Sequence, residues 1–150
     1  MDTGYGAYPQ QVAQGRDAEA RFDRIRGTHI ISRANKYEDA VLGWDRKDNE
    51  WGTVGIKAMC GVHRGDAPQD DFFLVELLNR DKEQAGWAFK QYDYQAYEIA
   101  EGFLMVRRRE LVPLACHLGL PLSRCGGVWI PRHQLAPYGQ ILLDNVREVC

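Results

Sequence analysis

The chain has 150 residues, 45% of them hydrophobic and 27% charged, with a formal net charge of -2. That length and balance suit one folded domain with its own core, and exclude both an extended disordered chain and a strongly basic nucleic-acid coat. No run of about twenty apolar residues is present to span a bilayer, and the opening residues lack the basic and apolar regions of a secretory leader, so no membrane partner and an intracellular setting, or packaging in a particle assembled there, are expected.

Residues 1–14, rich in Gly, Tyr, Gln and Ala, show no period and are expected to form a flexible or partner-ordered arm, leaving 15–150 as the single domain. From Asp17 onward Ala18, Phe22 and Ile25 recur at helical spacing, and Gly27 supplies a stop. Residues 28–32 carry a short β-branched strand signal. Two antiparallel strands are predicted over 40–44 and 51–59, joined by the charged turn 46–50. Residues 61–71 mix Gly, Pro, Asp, His and Arg and read as a loop. The apolar run 72–78, broken by Glu76, predicts a buried central strand. Gly86-Trp87, an aromatic segment over 92–99, a turn at Glu101-Gly102 and a strand over 103–106 follow. Residues 107–118 predict a helix ending at Gly119 and Pro121; 120–150 form a C-terminal extension with one strand near Ile141 and a final helical turn.

Cys60, Cys116, Cys125 and Cys150 are too widely spread for a disulfide scaffold, so free thiols are the default. Cys60, Cys116 and Cys125 with His63, His117 and His133 could compose a zinc site, but no Cys-x-x-Cys pair anchors one.

Three polar residues fall where the pattern prefers otherwise. Asp45 closes an apolar stretch, Lys57 sits in the next strand, and Glu76 interrupts an apolar run. A carboxylate in such a run needs a partner: a salt bridge to Lys57, an edge position facing water, or a cation.

The ordered series Glu19 to Phe22, Asp45, Gly55-Ile56-Lys57, Phe72 to Glu76, Gly86-Trp87, Asp93-Tyr94 and Gly102 to Val106 resembles the PD-(D/E)xK nuclease-like proteins of bacteriophages and large DNA viruses. The resemblance implies an α/β (α+β), restriction-endonuclease-like single domain with a central mixed sheet flanked by helices. It also implies a Mg2+ or Mn2+ site with Asp45 and Glu76 as ligands, Glu19 as a helix carboxylate at the same metal, and Asp45, Lys57 and Glu76 as the catalytic set. The chain departs from the pattern at Gly55, which stands where the family carries an acid and has no side chain to bind anything. Glu38, Asp39, Asp48 or Glu50 could supply a migrated ligand, although all four fall in polar turns where solvated carboxylates are ordinary.

Two functions follow from the resemblance. One is a non-catalytic or weakly active descendant, with no cofactor, serving as a viral structural component or binding nucleic acid or a viral or host protein in the host cell or the virus particle. The other is an active Mg2+-dependent DNA nuclease using Asp45, Lys57 and Glu76. Trp44, Trp51, Trp87 and the tyrosines at 92, 94 and 97 read as packing rather than base-stacking groups, and the Arg107-Arg108-Arg109 run is either a phosphate contact or a solvated helix start.

Overall fold

The computed structural model describes residues 8–59, 69–80, 82–124 and 126–145. Its frame is a six-stranded sheet in the order β1 (Ile30–Arg33), β2 (Arg46–Asp48), β3 (Gly52–Lys57), β7 (Tyr94–Ile99), β8 (Gly102–Arg107) and β10 (Gly139–Leu143). β3 and β7 run parallel and every other neighbouring pair is antiparallel, so the sheet is mixed. β4 (Phe72–Glu76) and β9 (Gly127–Pro131) form a separate antiparallel ribbon, and the two-residue strands β5 (Leu78–Asn79) and β6 (Gln84–Ala85) form a small hairpin. The helices are α1 (Tyr8–Arg26), α2 (Arg108–Leu118) and α3 (Arg132–Leu135).

The side-chain alternation of the strands divides the core between two faces. Val54, Ile56, Ala96, Phe103 and Met105 pack with Ala18 and Phe22 of α1. Tyr97, Ile99, Leu104 and Val106 project from the opposite face against Phe73 and Val75 of β4, Val128 and Ile130 of β9, and Leu111, Leu114 and Ala115 of α2. The result is one mixed α/β domain, a central sheet with helices on both sides. Among the described residues no helix is long and apolar enough to cross a membrane.

α1 buries Ala18 and Phe22 as their spacing requires, but extends back to Tyr8, through residues that carry no helical period. Arg24 and Arg26 in its last turn suit the negative end of the helix dipole, and Gly27, at φ 53°, turns the chain away. Arg46, buried in β2, binds α1 through Nη1 to Glu19 at 2.9 Å and Nε to Asp23 at 2.7 Å.

Besides the earlier start of α1 and the unread strand β9, three segments differ from the sequence reading. The strand expected over 40–44 is a single wide turn, Glu38–Leu42, closed by the Gly43 N–H on the Glu38 carbonyl, with Gly43 at φ 84°. The charged stretch after it is the strand instead: Arg46 and Asp48 are buried and each is paired with an opposite charge, so their charge does not force them into solvent. The run containing Glu76 is half of the two-stranded ribbon rather than a central strand; Phe73 and Val75 are buried between that ribbon and the main sheet, while Phe72 is exposed. The final helical turn expected at the C terminus lies outside the described residues.

Candidate functional site

Asp45 precedes β2, where its N–H donates to the Val54 carbonyl at 2.8 Å and its carbonyl accepts the Ala34 N–H at 3.0 Å. These bonds lean the residue over β3, and its Oδ2 accepts the Ile56 N–H at 2.7 Å. Burial pushes the Asp45 carboxyl up to about 6; the Ile56 N–H and the Lys57 charge oppose the rise, and Glu19 and Asp39 add to it.

Glu76 ends β4. A Cβ on Gly86 would collide with the Glu76 carbonyl, so only glycine lets the chain pass there, and the next residue, Trp87, donates its backbone N–H to Glu76 Oε1 at 3.2 Å. The Gly-Trp pair thereby fixes the carboxylate. The Lys57 ammonium lies 5.2 Å from the centre of the Trp87 ring, a cation-π contact.

Asp45, Lys57 and Glu76 therefore line one polar cleft of about 300 Å³, together with Asp39, Gly55, Trp87, Lys90, Tyr92 and Gln95. Glu19 is not on this wall; it is bound to Arg46 and acts on Asp45 only as a nearby negative charge. Of the four acids considered as migrated ligands, Asp39 alone reaches the cleft among the described residues. Asp48 is buried in a paired bond with Arg26, Glu50 also binds Arg26, and Glu38 accepts the Asn35 N–H.

A side chain at Gly55 would be tightly crowded. A Cβ there would stand 3.0 Å from both Gln95 Oε1 and Tyr92 Cε2 and 3.3 Å from the Gly43 carbonyl oxygen. The parallel register sets Gly55 beside Gln95, so Gln95 projects from the same face of the sheet. The Tyr92 hydroxyl donates to Gln95 Oε1 at 2.5 Å, and burial holds that phenol well above its usual range, so it keeps its proton. Gln95 Nε2 and Trp87 Nε1 are the buried side-chain polar atoms without a partner among the described residues, and both residues line this cleft.

Gln95 was legible only as a polar residue in an aromatic strand. Its alternation with Tyr97 and Ile99 marks a buried face, but its partnership with Gly55 depends on a parallel pairing that local spacing does not reveal.

The cleft can supply oxygen donors from Asp45 and Glu76, each with one oxygen already engaged by a backbone N–H, beside one ammonium. Such a set suits a hard, oxygen-seeking divalent cation that keeps several waters. Among the described residues no group of three or more His, Cys, Asp and Glu is placed to hold a metal. The zinc reading involves Cys60, His63 and Cys125, which lie outside the described residues, while Cys116 is an exposed free thiol.

Of the arginine run, Arg108 turns inward, donating from Nη1 to the Ala88 carbonyl at 2.8 Å and from Nε to the Tyr92 carbonyl at 3.2 Å. Arg107 is exposed, with its guanidinium 5.7 Å from the centre of the Tyr94 ring. Set against protein-family models, curated proteins and solved structures, the chain finds no match.

Proposed function

We propose that the chain is a divergent PD-(D/E)xK nuclease-like domain of restriction-endonuclease-like fold, non-catalytic or weakly active, that binds nucleic acid or a protein partner as a viral component. The observation that carries the reading is the meeting of Asp45, Lys57 and Glu76 in one cleft whose remaining acidic position is taken by the crowded Gly55. Asp45 before β2, Lys57 on β3 and Glu76 at the end of β4 are far apart in sequence yet share this cleft, and a phosphodiester site needs carboxylates and a cationic side chain together. A divalent cation held there would polarise a phosphoryl oxygen and acidify a bound water. Asp45 and Glu76 supply the oxygens for such a cation, and Lys57 sets a positive charge against the phosphate. With the third acid missing, binding is retained more readily than turnover.

A second reading, an active Mg2+-dependent DNA nuclease, is favoured by the same convergence. Titration with Mg2+ and Mn2+, following binding and cleavage of plasmid and single-stranded DNA beside Asp45→Ala and Lys57→Ala, separates the two. DNA binding weakened by Lys57→Ala, with cleavage near background, is the expected result. Robust cleavage abolished by Asp45→Ala moves the chain to the active class, and neither binding nor cleavage sinks the nucleic-acid reading.

A further inference from the structure

Gln95 carries a polar end with no partner. It is 1% exposed, its Oε1 accepts the Tyr92 hydroxyl proton at 2.5 Å, and its Nε2 bonds to nothing among the described residues. Buried amides are ordinarily satisfied at both ends, so an orphaned end beside a polar cleft marks the place of a missing ligand. The amide oxygen lies 3.0 Å from where a Cβ on Gly55 would stand. We infer that Gln95, on the neighbouring strand, supplies a third oxygen ligand in place of the acid absent at Gly55, so that a divalent cation is held by Asp45, Glu76 and the Gln95 side-chain oxygen. This inference rests on the reading of the cleft given above.

The amide can serve in either sense, because its oxygen and NH2 group are close in shape and a phenol can accept a hydrogen bond as well as donate one. Turned over, Nε2 donates to the Tyr92 oxygen and Oε1 takes the orphaned place, now with lone pairs open to a cation. The local charge favours a cation over an anion: Asp39, Asp45 and Glu76 face Lys57 and Lys90, and the Lys90 ammonium is already bound to the Ala40 carbonyl at 2.6 Å. Two carboxylates and an amide oxygen make an oxygen-only set, with water completing the shell, which suits Mg2+ or Mn2+ rather than a softer metal.

The test is Mn2+ binding by the full chain, read from the paramagnetic resonance of free Mn2+, for the wild type, Gln95→Glu, Gln95→Leu and Asp45→Ala. Gln95→Glu is expected to tighten binding and Gln95→Leu to weaken it, each by about tenfold or more. In the wild type, Mg2+ is expected to shift the Gln95 side-chain amide resonances. Equal affinities in the wild type and both Gln95 variants, with Asp45→Ala still weakening binding, overturn the role of Gln95 and leave the cleft reading intact. No Mn2+ binding by the wild type, or binding indifferent to Asp45→Ala, overturns both. If Gln95→Leu loses its cooperative melt, Gln95→Glu, which keeps an acceptor for Tyr92, and the Mg2+ titration decide the matter.

Discussion

Asp45 bears two demands that conflict. Its carboxylate is held over β3 by the Ile56 N–H, yet burial makes its charge costly, and its acidity shifts from 3.8 to about 6. The protonated form is thus the one the fold prefers: the stability tied to Asp45 is fully present below about pH 3.8 and is lost as pH rises through about 6. The shift corresponds to about 3 kcal/mol at neutral pH. Asp45→Asn, whose side-chain oxygen can still accept the Ile56 N–H, is expected to raise stability in EDTA at pH 8 by up to about 3 kcal/mol, with the gain vanishing near pH 4. Urea unfolding at the two pH values checks this; a gain independent of pH removes the buried charge as its cause. A fold that tolerates such a charge is consistent with a site kept for binding rather than for packing.

At the level of elements, the cleft is assembled by ties that have nothing to do with its chemistry. Arg108, at the start of α2, holds the carbonyls of Ala88 and Tyr92, and so fixes the segment that carries Trp87 at one end and Tyr92 at the other. Arg108→Met is expected to lower stability by about 1 to 3 kcal/mol, because two carbonyls lose a charged donor. Arg107→Met is expected to stay within about 0.5 kcal/mol, since its residue is exposed. Denaturant unfolding of the two variants measures the contrast, and equal losses would show that the inward turn of Arg108 is not what secures the segment. Sequence alone could not separate the two arginines, as both stand at a strand-to-helix junction. The same limit applied to strand placement. The aromatic and apolar stretches that form β7 and β8 and the glycine stop of α2 were plain, whereas the short β2 was hidden by its charged residues and β9 by the glycines and prolines around it. Asp45, Lys57 and Glu76 stood out because each broke a local pattern; Gln95 did not, because its meaning lies in what it faces across the sheet.

For the molecule as a whole, the sheet consists of two antiparallel blocks, β1-β2-β3 and β7-β8-β10, joined by the single parallel pairing of β3 with β7. The cleft straddles that joint, with Gly55 and Lys57 on one side and Tyr92 and Gln95 on the other. The turns within β2-β3 and β7-β8 close over a few residues, but the joint brings together positions such as Thr53 and Asp93, 40 residues apart. Closing the longer loop costs more entropy before any contact rewards it, so the hairpins are expected to order first and the joint last. Pulse-labelled hydrogen exchange during refolding would show this order, with the amides of β8 protected before those of β3 that face β7; simultaneous protection would contradict it. Late closure would have a consequence for the life of the chain: Gln95 comes to lie beside Gly55 only when the blocks meet, so each nascent copy would hold both strand blocks before it holds the cleft between them.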